Sequence, residues 1–174
     1  MKNYEVVTAS IRHVKPLSAS LRGAHCANLL AFNIEPRRAL HDAFLASPFC
    51  RTALIEGRPV AMWGVKSDLI SPTGFAWLVI SNEITGLSLS IIKETKKQLA
   101  EMMKTYHELA ITVLPDDFAA LRFAVFLGFH DRDQQMNQSR KISQLEIVTD
   151  PRNRVPYGDG HIIALGYHHE ERAH

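Results

Sequence analysis

The sequence predicts an α/β fold, and three observations carry that prediction. Two apolar runs flank a glycine-containing turn at Glu56-Gly57-Arg58-Pro59. Strand-like and helix-like hydrophobic patterns then alternate between residues 75 and 129. The alternation closes at Leu127-Gly128-Phe129, where a residue able to take positive φ ends a helix.

The elements follow in order. Asn3-Tyr4-Glu5-Val6-Val7-Thr8 reads as a short strand. From Leu17 to Phe32 the positions Leu17, Leu21, Ala24, Ala27 and Leu30 recur at helical spacing and predict one helix. Asn33-Ile34-Glu35-Pro36 breaks it, because a residue before proline is biased out of the α region. Pro36 starts a second helix that runs to about Ala46. Arg51 to Ile55 and Val60 to Val65 form the hairpin around Gly57. After a polar loop with Pro72 and Gly74, Phe75 to Ile80 is continuously apolar, as expected of a strand covered on both faces.

From Gly86 to Tyr106 the period is helical. Ile92, Thr95, Leu99, Met102, Met103 and Tyr106 line one face, and Lys93, Lys96, Lys97, Glu101 and Lys104 the wet one. Leu109 to Leu114 is the next strand. Pro115-Asp116-Asp117 marks a helix start, since Asp is a strong N-cap. The helix from Phe118 to Leu127 is apolar nearly all round and is expected to pack on several sides, with Phe129-His130-Asp131 as a strand after it. Beyond residue 133 the pattern weakens: Asp133 to Ser143 reads as loop, Gln144 to Thr149 as a possible strand and Asp150 to Asn153 as a turn. His161 to Tyr167 is a candidate closing strand, and His168 to His174 a charged tail.

Length and composition bound the function. One domain fits 174 residues, with a core at 3–133, a loop-rich segment at 134–160 and a closing strand and tail at 161–174. A formal net charge of +2 argues against a dedicated nucleic-acid binder. Cys26 and Cys50 have the spacing of neither a metal knuckle nor a redox pair and read as buried free thiols in a reducing cytosol. The start of the chain lacks the apolar region of a secretory signal, and no run approaches the roughly 18 apolar residues of a spanning helix. His168, His169 and His174 lie in a mixed charged tail, and no metal site is expected.

A hairpin, an apolar strand, a long helix, a strand and a short apolar helix ending in Leu-Gly-Phe, in this order, resemble the GNAT N-acetyltransferase fold. The resemblance implies a mixed central sheet of six to seven strands with helices on both faces. More narrowly, the chain resembles the phage proteins grouped with internal virion protein A of T7-like podoviruses, a GNAT-like family. Ile34-Glu35-Pro36, Gly57 to Met62, Trp77-Leu78-Val79 with Ser81-Asn82-Glu83, Arg122-Phe123 ahead of Leu127, and Val155-Pro156-Tyr157-Gly158 carry that likeness.

GNAT enzymes bind acetyl-CoA between two splayed strands, with the pyrophosphate on the loop and helix start after the first. The resemblance therefore implies cofactor contacts at Leu78, Val79 and Ile80, at Thr85, Gly86, Leu87 and Ser88, and at Asp117, if acetyl-CoA binds at all. A helix N-terminus suits a pyrophosphate because its N–H groups are unpaired and its dipole is positive there. Gly86 and Ser88 match the family's small residues in that loop. Gly86 also reads simply as a helix-entry residue, and Asp117 as a helix cap. Glu83 places a carboxylate where the family offers a neutral or positive donor. The position where many GNAT enzymes carry a proton-donating Tyr is Ala124, and a methyl group donates no proton.

The base that would take a proton from an acceptor amine must be a carboxylate or imidazole reaching the site. Glu56, Glu83, His107 and His130 stand near strand or helix ends, but no spacing compels a role, so the catalytic residues are not fixed. Two readings result. One is a phage virion-associated or assembly protein on a GNAT scaffold with a degenerate site. It would need no cofactor, would associate with other phage virion proteins or with itself, and would reside in the virion or host cytoplasm. The other is an active acetyl-CoA-dependent N-acetyltransferase acting on a host or phage amine.

Overall fold

Glu56 and Gly57 take positive φ values of 51° and 76°, and this left-handed pair turns β2 (Phe49–Ile55) into β3 (Arg58–Lys66). Two such residues suit the right-handed twist of the strands they join. The turn is thus shorter than the sequence implies, and Arg58 and Pro59 already belong to β3. Opposite partners run Leu54 with Pro59 and then Ala53 with Ala61, so Val60 is an extra residue in β3. A bulge beside Pro59 is apt, because proline has no N–H to give the ladder. The computed structural model describes residues 4–31, 33–67, 73–84, 89–113, 117–131 and 163–168, which fall into two compact units, Met1–Lys93 and Glu94–His174.

In the first unit β1 (Tyr4–Thr8) pairs antiparallel with β2, and β4 (Thr73–Ile80) antiparallel with β3, giving the order β1-β2-β3-β4. Helices α1 (Ile11–Ala19), α2 (Gly23–Ala31) and α3 (Pro36–Leu45) complete it. The expected single helix over 17–32 is two helices. Helix α1 begins earlier, at a capping box in which the Ser10 side chain and the His13 ring each accept a backbone N–H, and it runs through Pro16. The chain leaves helical geometry at Leu21, which bridges to Ser81. Asn33, at φ 58°, turns the chain after α2, and Glu35 caps α3 by accepting from the amides of Arg37 and Arg38 at 3.0 and 2.8 Å.

Met62 faces Val79 across the β3–β4 ladder. With Cys50 and Trp77 they form the floor on which Val14, Leu17, Leu21 and Leu40 pack. Neighbouring residues in a strand point to opposite faces, so Ala61 and Trp63 join a second cluster with Ala53, Val60, Ile55, Ile80 and Ile84. The double cover expected for β4 is incomplete: Phe75 and Leu78, on opposite faces, are 44% and 40% exposed. Cys50 is buried as expected, and burial pushes its thiol pKa up to about 11, against the opposing Arg51 amide and charge. Cys26 is only partly buried, a departure from the sequence reading.

Helix α4 (Leu89–Met102) crosses the boundary between the units. Leu99, Met102 and, past its end, Tyr106 are buried, while Lys93, Lys96, Lys97, Glu101 and Lys104 are exposed. In the second unit β5 (Glu108–Val113) and β6 (His130–Asp131) both pair antiparallel with β7 (Ile163–His168), the expected closing strand. Helix α5 (Phe118–Leu127) is capped by Asp117, whose Oδ1 accepts from the Ala120 amide at 3.1 Å, and ends at Gly128 with φ 103°. Ala124 and Leu127 are buried, but Phe118, Val125 and Phe126 are exposed, so the packing on several sides predicted from composition does not occur. The readings for 133–160 and for residues 169–174 lie outside the described residues.

Candidate functional site

The C-terminal end of β4 is where the GNAT resemblance implies cofactor contacts, if acetyl-CoA binds. Ser81 there is fully buried, and its amide donates to the Val60 carbonyl of β3 at 2.8 Å. Backbone groups of successive strand residues point to alternate edges. Those of Ile80 therefore point away from β3, and both are engaged by the connection between α1 and α2. The Arg22 N–H donates to the Ile80 carbonyl at 2.9 Å, and the Ile80 N–H donates to His25 Nδ1 at 3.5 Å. One residue on, the Asn82 N–H donates to the Ser20 carbonyl at 2.8 Å, and Leu21 and Ser81 form an antiparallel bridge. Ser20, Leu21 and Arg22 thus act as a short strap on the side of β4 that faces away from β3.

The strap explains why the helix breaks where it does. Leaving helical geometry at Leu21 exposes backbone groups that burial would penalise, and the β4 edge satisfies them. The same contacts change what the edge offers a ligand. Coenzyme A carries an amide-bearing arm, and an arm laid along a strand edge must find backbone N–H and C=O groups there. At Ile80 both groups already have partners inside the chain.

The turn after β4 brings two predicted candidates together. Ser81 Oγ accepts from the Glu83 amide at 3.2 Å, and the Arg58 guanidinium lies 3.3 Å from Glu83 Oε2 and 3.9 Å from Glu56 Oε2. Arg58 thus pairs with the carboxylate that Glu83 places at this turn. These groups are partly exposed, so each pair contributes less than about 1 kcal/mol. Two carboxylates around one guanidinium leave a negative excess, which does not suit a phosphate.

Leu78 and Val79 lie on β4, with Val79 packed against the helical core. His107 is exposed in the second unit just ahead of β5, and Asp117 uses its side chain as a cap on α5. His130 lies on β6. Thr85, Gly86, Leu87 and Ser88 fall outside the described residues. Ala124 is buried on α5, and its carbonyl accepts from the amides of Gly128 and Phe129. Sequence reasoning missed Arg22, His25 and Arg58. The first two sit inside an apparently unbroken helical period, and Arg58 reads as a turn residue until the register is known. Among the described residues no three His, Cys, Asp or Glu side chains come together as metal ligands would, and no helix is long and apolar enough to cross a membrane.

No protein-family model matches the sequence, and no curated protein matches it significantly. Solved structures do match its fold. The ribosomal-protein-S5-alanine acetyltransferase from Vibrio fischeri superposes with a TM-score of 0.62 at 10% identity, covering 100% of this chain and 97% of its own. A GNAT-family acetyltransferase from Bacillus anthracis gives 0.61 at 9%, covering 94% and 92%. YncA from Salmonella typhimurium, solved with its cofactor acetyl-CoA, gives 0.61 at 14%, covering 99% and 97%. The chain has the GNAT acetyltransferase fold.

Proposed function

We propose that this chain is a phage virion-associated or assembly protein that uses the GNAT fold as a scaffold, with a degenerate acyl-transfer site. A fold hosts many functions, so the reading rests on the site. The observation that carries it is the strap: both backbone groups of Ile80, which point away from β3, are engaged by Arg22 and His25. Ala124 supports it by placing a buried methyl group where the resemblance implies a proton donor. The negative excess around Arg58 further disfavours a pyrophosphate near the exit of β4. The assignment to a virion, and to partners among other virion proteins or further copies of the chain, is supported by the sequence likeness to the internal virion protein A group.

The second reading is an acetyl-CoA-dependent N-acetyltransferase acting on a host or phage amine. It is favoured by the superposition of YncA, a structure holding acetyl-CoA, over 99% of the chain. Calorimetric titration of the full chain with acetyl-CoA separates the two. The scaffold reading expects no heat of binding at millimolar ligand, together with a fixed copy number in purified particles. Micromolar binding, or absence from particles, would overturn it.

A further inference from the structure

Three large apolar side chains of α5 face solvent. Phe118, Val125 and Phe126 are 68%, 63% and 57% exposed. At 100° per residue they fall, with the exposed Arg122, within an arc of about 100° on one side of the helix. Scattered exposed leucines are ordinary, but an aromatic stripe running the length of a ten-residue helix is the kind of contiguous patch that marks an interaction surface.

Cationic side chains flank the Phe126 end of the stripe. The Lys96 ammonium of α4 lies 5.1 Å from the Phe126 ring centroid, a cation–π contact, and Lys97 beside it is exposed. Among the described residues no carboxylate pairs with Lys96 or Arg122. The nearest acidic residue on the helix, Asp117, has a side-chain oxygen committed to the cap. A second copy of the same face is a poor occupant, since two-fold pairing across α5 brings Arg122 towards its own symmetry mate and like charges oppose each other.

We infer that the Phe118–Arg122–Val125–Phe126 face of α5 docks an acidic amphipathic helix of a different protein. Apolar side chains of the partner at helical spacing would cover the two phenyl rings and Val125, and flanking carboxylates would pair with Arg122 and Lys96. Helix-on-helix docking through such anchors is a recurring mode of recognition. The inference rests on this surface and holds whether or not acetyl-CoA binds.

The test is fluorescence anisotropy of the full chain with three labelled probes. These are an amphipathic peptide with Leu and Phe on one face and Glu on its flanks, the same peptide with Lys for Glu, and a single-stranded oligonucleotide. The acidic peptide should bind at least tenfold more tightly than either of the others and should weaken with salt. Phe126→Ala should cost it about tenfold, the effect of losing an aromatic anchor. Arg122→Glu should abolish the preference for the acidic peptide. Both positions are exposed, and circular dichroism of each variant checks that it remains folded. Equal binding of both peptides, preference for the oligonucleotide, a dimer that Arg122→Glu dissociates, or slow thiol labelling of Val125→Cys in the free chain would each overturn the proposal.

Discussion

The Trp77 ring occupies the space that a side chain at position 64 would need. A Cβ built on Gly64 would stand 3.1 Å from Trp77 Cε2 and 2.7 Å from the Phe49 carbonyl oxygen. The second contact is with backbone, which cannot swing away as a side-chain end can. Gly64→Ala should therefore destabilise the protein by about 1–3 kcal/mol, the usual cost of overpacking a tight site. A urea unfolding curve with its midpoint unchanged would show that β2 and β3 separate more easily than this spacing implies.

The same tryptophan ties the sheet to the end of α3. Its Nε1–H donates to Ser47 Oγ at 2.8 Å, and the Ser47 hydroxyl donates to the Ala43 carbonyl at 2.7 Å. Removing the acceptor while keeping the indole should cost about 1 kcal/mol, because a part-buried N–H is left without its partner. Trp77→Phe removes the donor instead and leaves Ser47 bonded to Ala43. Chemical denaturation of Ser47→Ala should thus show a loss not explained by helix propensity, since that residue lies past the end of α3. Equal stability of Ser47→Ala and wild type would mean that the indole finds another acceptor.

Much of this architecture is legible in the sequence because it is written locally. Gly57 between two apolar runs, Asp117 ahead of an apolar run and Gly128 after it each act through their own backbone, and each does in the structure what its chemistry requires. The break at Leu21 is not local. The residues from Leu17 onwards keep a helical period, and only the edge of β4, some sixty positions away, gives Ser20, Leu21 and Arg22 better partners. The pairing of Arg58 with Glu83 depends in the same way on a register that no single segment contains. Composition also misleads at α5, where apolar residues all round were expected to be covered and three stand in solvent.

His25 makes the strap measurable one amide at a time. Its Nδ1 accepts from the Ile80 N–H at 3.5 Å, near the long limit of a hydrogen bond, so its loss should cost no more than about 1 kcal/mol of global stability. Local protection should respond more. In His25→Ala the Ile80 amide should exchange with solvent at least several-fold faster, while the Ser81 amide, which donates to Val60, stays unchanged. Equal acceleration at both amides would indicate that the whole end of β4 loosens and that His25 is not specifically a partner of Ile80.

The N-terminus of α1 should weaken with acid. His13 Nδ1 accepts from the Ser10 amide at 3.2 Å and lies 3.1 Å from Thr52 Oγ1, whose hydroxyl is a second donor to it. The Ser10 contact requires an unprotonated Nδ1, because a backbone amide can only donate. Partial burial agrees with this by lowering the His13 pKa from its ordinary value of 6.5. The unfolded chain therefore takes up the proton before the folded one does. Above about pH 6.5 the ring is neutral in both states and the cap is intact. As pH falls from there through the lowered folded value, the unfolded state binds more protons and stability is lost. In His13→Gln an amide oxygen can still accept from Ser10 but does not titrate. Its melting temperature should be less sensitive to pH than that of wild type between pH 7.5 and 5, and because the other histidines are unchanged, the difference between the two profiles isolates His13. Parallel profiles would show that the capping imidazole keeps its contacts when protonated.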